Sequence, residues 1–268
     1  MANGVVERPS VEQANVDALR NAYERMQALP GSDNRSWISW AGFHGFPRYD
    51  CWHHGRIGVG PTDPNPYDLF LPWHRAYLMY WDHVTRDHDE AAILPWWDWT
   101  FVTSRAQGVP EAYAGDDALA TGPTPNMPDD PARRTRRFPG DPAELPTPEV
   151  VDGVLALRDF VDFSTQVQDL HDQIHGWAGG IDPANPDEGG DMGSIASAAY
   201  DPLFWAHHAM IDRLWYLWQL EHGVDNIPPD YLRQSLAPFG YTVEQVLDTR
   251  RLGYEYATSS VVSTEEDR

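Results

Sequence analysis

Apolar positions recur at three- and four-residue steps along much of the chain, which predicts helices more than strands. Ala14, Ala18, Leu19, Ala22, Tyr23, Met26 and Leu29 form one amphipathic run that stops at Pro30-Gly31. Ser10-Val-Glu-Gln13 resembles a capping box that would start this helix. A second short helix is expected over 32–44, and a long aromatic one over 72–88 with Pro72 at its first position. Further helical pattern covers 147–158, 159–176 and 203–222, and Thr242-Val-Glu-Gln245 caps a last short helix. Residues 45–71, 104–146 and 179–193 read as loops rich in Pro, Gly or Asp. Alternation with period two is scarce, and no repeat or linker stands out. The expectation is one mainly α domain over 1–268, with long Pro/Gly-rich loops.

Composition narrows what this domain can do. All 19 basic residues are Arg, so lysine Schiff-base chemistry and a lysine-bearing phosphate loop are excluded. A net charge of −22 argues against nucleic acid and anionic membranes as partners, and it reads as a solvated surface. The run Arg133-Arg134-Thr135-Arg136-Arg137 is better read as a local salt-bridging loop than as an anion site. No apolar run is long enough to span a membrane. Met1–Ser10 lacks the apolar core of a secretory signal, so the expected location is cytoplasmic, or secreted with a partner's help. A single cysteine, Cys51, excludes an internal disulfide framework. The 12 Trp predict a rigid aromatic core, and most of the 11 His sit in short patterned clusters.

His171 and His175 are four apart on one predicted helix, which puts both imidazoles on one face. His207-His208 lie among Phe204, Trp205, Met210, Leu214 and Trp215, where buried imidazoles need partners. The N-terminal half adds His44, His53, His54 and His74. Histidines facing inward from two helical pairs suit a central four-helix bundle with a metal at its middle. A di-iron carboxylate site needs Glu-x-x-His pairs, and the sequence has none. The zincin pattern fails because residue 172 is Asp, and a structural zinc would normally draw on more thiolates than Cys51 offers. About six imidazoles in two sets of three suit copper best.

Phe70-Leu-Pro-Trp-His-Arg-Ala-Tyr-Leu78 and Asp201-Pro-Leu-Phe-Trp-Ala-His-His-Ala-Met-Ile-Asp-Arg-Leu-Trp215 resemble the two copper motifs of the tyrosinase, catechol oxidase and hemocyanin family. His171-x-x-x-His175 with Trp177 and Gly179-Gly180, the loop Gly190-Asp-Met-Gly-Ser194, and Leu252-Gly-Tyr-Glu-Tyr256 resemble three more of its motifs. The resemblance runs from about 36 to 256. It implies two coppers, each held by three histidines, with dioxygen bound between them.

By this resemblance His44 and His74 serve the first copper, and His171, His175 and His208 the second, with His207 as a supporting neighbour. The second ligand of the first copper departs from the pattern: the usual position holds Asn65, and the candidates are His53 and His54. Cys51-Trp-His53 has the spacing that forms a Cys–His thioether in some members, which favours His53; the alternative for Cys51 is a buried small hydrophobe. His83, His88 and His222 match no ligand position.

The implied activity is oxidation of o-diphenols or o-aminophenols by O2 to quinones or quinone imines. Full tyrosinase activity, a monooxygenase reaction on monophenols, is the alternative, and a hemocyanin-like carrier is more remote. Three further positions bear on this choice. Asp172 stands where the family often has an Asn that holds a proton-accepting water; it is either a base itself or an outward-facing carboxylate. Gly176 offers no side chain to guide a substrate. Ile195 stands where plant catechol oxidases often carry a blocking Phe. A copper-delivering chaperone is a possible further partner, and Asp212-Arg213 is expected to orient a histidine or pin the bundle.

Overall fold

A computed structural model describes residues 4–53, 68–125 and 133–258. Within them the helices are α1 (Val16–Ala28), α2 (Trp37–His44), α3 (Phe70–His88), α4 (Val102–Gln107), α5 (Pro148–Leu155), α6 (Phe160–Gly179), α7 (Pro202–His222) and α8 (Pro229–Leu232). The strands are short: β1 (Val6–Arg8), β2 (Ile181–Asp182), β3 (Asn185–Gly189), β4 (Ser235–Leu236), β5 (Tyr241–Thr242) and β6 (Tyr254–Tyr256). The chain is mainly helical, as its periodicity predicts. Among the described residues no helix is long and apolar enough to cross a membrane.

Four of the helix starts are set by capping side chains. Asn15 accepts from the Ala18 amide, Ser36 from Ser39, Asp159 from Val161 and Asp162, and Asp201 from Leu203. Ser10 does not open α1. Trp96 clamps that segment instead: the Val11 amide bonds the Trp96 carbonyl, and the Trp96 amide bonds the Pro9 carbonyl. Residues Val11–Gln13 are then a single 3-10 turn. Pro72 lies in the third position of α3, not the first, where its missing N–H still costs nothing. Thr242 belongs to β5, and its amide bonds the Gln245 side chain over a 3-10 turn at Glu244–Val246. The expected loop 179–193 contains the β2–β3 antiparallel hairpin, and the expected loop 104–146 contains most of α4.

The core is built on tryptophan. Trp81 of α3 stacks on Trp205 of α7 with ring centroids 3.4 Å apart and planes 5° from parallel. Tyr23 and Trp37 meet Trp81 edge-on, which ties α1 and α2 to the same stack. α2 also reaches α3 through the Tyr77 hydroxyl on the Trp40 carbonyl. Helices α2, α3, α6 and α7 thus enclose the centre of the molecule, as the histidine pattern leads one to expect.

A polar cluster closes the ends of this bundle. Parallel pairing of β1 with β6 brings Arg8 beside Tyr254 and Tyr256. Asp212 of α7 accepts from Arg75 Nε at 2.6 Å, from the Tyr254 hydroxyl at 2.6 Å and from the Tyr256 hydroxyl at 2.8 Å. Arg8 donates to the Tyr256 hydroxyl at 2.8 Å and lies 3.6 Å over the Tyr254 ring, and Arg75 lies 3.7 Å over Trp215. Asp212 therefore pins the bundle, the second of its two expected roles.

The basic run is a salt-bridging loop. Arg133 forks onto both oxygens of Asp191, Arg136 pairs with Glu188, and Arg137 pairs with Asp201.

Candidate metal centre

Two clusters of imidazoles face each other where α2, α3, α6 and α7 meet. His44 ends α2, His74 lies on α3, and His53 reaches in from the loop after α2; their ligand atoms lie within 4.8 Å of one another. The second cluster holds His171 and His175 of α6 with His207 and His208 of α7. The clusters abut: His53 stacks on His171 at 5.2 Å and His74 on His208 at 4.5 Å between centroids. His54 and Asn65 lie outside the described residues. His83 is exposed, while His88 and His222 bond the carbonyls of Arg35 and Leu155, away from both clusters.

The hydrogen bonds fix which ring nitrogen points inward. His175 Nδ1 lies 2.7 Å from the Met192 carbonyl and His74 Nδ1 lies 2.8 Å from the Phe70 carbonyl. A carbonyl only accepts, so both Nδ1 atoms carry the proton and Nε2 keeps its lone pair. His171 Nδ1 is held in the same way by Asp172 Oδ1 at 2.8 Å. Outer partners of this kind orient metal-binding imidazoles.

Burial pushes His74 down to about 3 and His175 down to about 4, with the carbonyl bonds pulling the other way. Burial, then neighbouring imidazoles, holds His44, His171, His207 and His208 well below the ordinary histidine range. These rings are neutral at physiological pH, the form that binds metal.

The lone pairs converge with at most one proton to share. His208 Nε2 stands 3.1 Å from Nε2 of both His171 and His175, and it can donate to one of them at most. His44 Nε2 and His74 Nε2 are buried with no hydrogen-bond partner. Such atoms are costly unless a cation takes them. Neutral imidazoles with no carboxylate ligand fit a pair of copper ions. His207 also has both ring nitrogens buried without a hydrogen-bond partner, and its ring stacks on His171 at 5.3 Å and 15°.

Two close backbone approaches shape the surroundings. A Cβ on Gly45, next to His44, would stand 2.4 Å from the Ala196 carbonyl. One on Gly179 would stand 2.4 Å from the Gly193 amide, so only glycine lets the 191–193 turn sit close enough for Met192 to hold His175. Asp191, clamped by Arg133 and by the Arg136 amide at 2.7 Å, fixes that turn.

A cavity of about 340 Å³ opens over the clusters. Its lining includes His44, His53, His171 and His175, with Asp172, Gly176 and Ile195 around them. All three positions that the sequence singles out beyond the ligands thus lie on its wall. Sequence reasoning missed the roles of Phe70 and Phe204, each of which touches histidines of both clusters. Phe70 lies 4.7 Å from His74 and 4.7 Å from His171; Phe204 lies 4.7 Å from His44 and 4.0 Å from His208. Both stand four residues before a histidine on the same helix, a spacing that could have marked them.

The family model described as the common central domain of tyrosinase matches residues 34–147 and 122–221. The chain belongs to this family of type 3 copper proteins. Its relatives include both hemocyanins and tyrosinases. It is 26% identical over 289 residues to Hemocyanin 1 of Megathura crenulata, covering 90% of this chain and 8% of that one. It is 32% identical over 203 residues to the tyrosinase of Streptomyces antibioticus, covering 65% of this chain and 74% of that one. The structure of a tyrosinase from Burkholderia thailandensis superposes with a TM-score of 0.77 at 22% identity, over 96% of this chain and 75% of that one. The chain spans less than two thirds of the length of the hemocyanins it matches. Membership of a type 3 copper family accounts for the paired clusters and for the absence of a carboxylate from them among the described residues.

Proposed function

We propose that this protein is an oxidase of o-diphenols or o-aminophenols, with His44, His53 and His74 holding one copper and His171, His175 and His208 the other. The observation that carries this reading is the cavity of about 340 Å³ that opens directly onto four of the histidines. A diatomic ligand needs no such space, whereas a phenolic ring does. When bound, the copper pair supplies the redox chemistry with O2. The protein orients the imidazoles through Asp172, Met192 and Phe70, and it keeps the centre dry with Phe70 and Phe204.

The residues around the opening favour catechols and aminophenols over monophenols. A monophenol must lose a proton near the copper pair. Asp172 Oδ1 is already occupied by His171 Nδ1, which favours an orienting role over that of a base. Ile195 leaves more room than a Phe would and so sets no steric bar to a monophenol; the preference rests on Asp172. Turnover on 4-methylcatechol and on 2-aminophenol is therefore expected to exceed turnover on the matching monophenol, p-cresol, at least about tenfold, with a lag on p-cresol. Comparable rates without a lag would make the protein a tyrosinase. No turnover on any of these, with copper bound, would favour the hemocyanin-like reading.

Cys51 is buried two residues before His53. The proposal includes a thioether between its sulfur and the His53 ring in the mature protein, formed as O2, the oxidant of the proposed reaction, takes up the two electrons and two protons released from the thiol and the ring C–H. Intact mass is then expected to be lower by the two hydrogens lost, and Cys51 should resist alkylation after denaturation. A thiol that alkylates in full in copper-loaded protein would leave Cys51 as packing only.

A further inference from the structure

Aromatic side chains lead away from the first histidine cluster in a continuous row. Trp73, Tyr77 and Tyr80 lie along one face of α3, at four- and three-residue steps. Ring centroids are 5.0 Å apart from His74 to Trp73 and 5.0 Å from Trp73 to Tyr77. Trp40 of α2 stacks on Tyr77 at 6.4 Å and on Tyr80 at 5.8 Å, and Tyr80 lies 6.2 Å from Tyr241 of β5. Trp73 and Tyr77 are buried, whereas Trp40, Tyr80 and Tyr241 are half-buried. The row thus runs from a histidine of the first cluster to solvent.

Phenylalanine and leucine would fill the same space. Every member of the row is instead an indole or a phenol, rings that give up one electron far more readily than phenyl or aliphatic groups. Electron tunnelling weakens exponentially with distance, and rings in near contact keep each step short. An inward branch joins at Tyr77, which lies 4.8 Å from Trp205, itself stacked on Trp81. Both indoles are fully buried and Trp205 Nε1 has no hydrogen-bond partner, so positive charge left there is unsolvated and costly. Trp40 Nε1 donates to the Asn34 carbonyl at 2.7 Å beside solvent, and the net charge of −22 further favours positive charge near the surface.

Resting on the oxidase reading above, we propose that this row drains oxidising equivalents, left by O2 at the copper centre, to the surface when no phenol occupies the cavity. For each equivalent one electron moves inward from Tyr241 or Tyr80, and the proton of that phenol passes to water. A small reductant in solvent, such as ascorbate, returns one electron and one proton to the tyrosyl radical.

Hydrogen peroxide supplies the equivalents in the test: it takes two electrons from the row and two protons from solvent and leaves as two waters. Copper-loaded protein receives it with no phenol present, and peptide mapping by mass spectrometry locates the oxidised side chains. Added oxygen is expected at Trp40, Tyr80 and Tyr241, with a dityrosine crosslink between the last two. Tyr49, 41% exposed but outside the row, should stay intact. Copper-free protein should show none of this. Trp40→Phe keeps a ring in the stack but not an easily oxidised one, so oxidation should be lost at Tyr80 and Tyr241 and move to Trp73, Tyr77 and the histidines. Tyr241→Phe, at the surface, should abolish the crosslink and leave oxidation on Trp40 and Tyr80.

Oxidation that follows exposure alone, that stays on the histidines, or that keeps its pattern in both variants would overturn the inference and leave the row as packing. Catechol turnover of the unaltered protein is measured alongside. The expected oxidation pattern without that turnover would keep the route and remove the oxidase reading. Turnover without the pattern would do the reverse.

Discussion

His208→Ala is expected to hold one copper where the unaltered protein holds two, and to lose oxidase turnover altogether. His208 Nε2 is the atom on which His171 and His175 both converge, each at 3.1 Å. Without it the second site keeps two donors, too few to hold copper firmly at this position. The loss should exceed the roughly 100-fold that removing a mere supporting partner costs a metal site. The first site draws on His44, His53 and His74 and should stay filled. His207→Leu is the control: the ring lies face-on against His171, so two coppers should remain. Metal analysis and oxygen uptake with catechol check both variants. Two coppers with normal turnover in His208→Ala, or loss of a copper in His207→Leu alone, would reassign the ligand to His207.

Asp212→Ala should cost the protein more stability than any other single change outside the copper site. The carboxylate joins Arg75, Tyr254 and Tyr256 by direct hydrogen bonds, and Arg8 stands 3.6 Å from it. Arg8 and Arg75 are fully buried. Removing their anion leaves buried guanidinium charge uncompensated, which costs about 3–5 kcal/mol. That is a large share of the roughly 5–15 kcal/mol that holds a folded domain together. Tm should fall by about 10 °C or more. Tyr256→Phe removes one bond to the carboxylate and should cost about 1.5–3 kcal/mol. The Asp212 carboxylate is held by Arg75, Tyr254, Tyr256 and Arg8 and not by a histidine, so Asp212→Ala that does fold should still bind two coppers. Differential scanning calorimetry with metal analysis reads both effects. An unchanged Tm would mean that β1 and β6 do not depend on this carboxylate.

The helices and the clustered histidines were legible because both are local patterns. Apolar residues at three- and four-residue steps predict α1, α3, α6 and α7, and His171 and His175 share a face because a helix turns every 3.6 residues. The motifs around His74 and His208 carry the family resemblance without any structure, and the match over 34–221 bears it out. Where each helix begins was less legible. Ser10 heads a capping-box pattern in the sequence, yet Asn15 caps α1, because Trp96, more than eighty residues away, clamps 9–11. The hairpin at 181–189 escaped notice because its strands are short and largely exposed, so no buried face imposes alternation.

By itself the sequence determined the helical class, the inward-facing histidines and the copper family, since each follows from spacing along one helix or one contiguous motif. Tertiary structure alone decided how those pieces are held. His53 joins His44 and His74 only in the folded protein, since it lies on neither of the helices that carry them. The Met192 carbonyl fixes the protonated nitrogen of His175 only because Gly179 lets two backbones touch. Asp212, placed by the sequence merely one turn past His208, closes the bundle because β1 and β6, from opposite ends of the chain, pair beside it. The physical reason is common to all three. A periodic pattern reports which face of an element is buried, but the partner of a buried polar atom is set by chain segments distant in sequence, and only their packing brings that partner within hydrogen-bonding reach.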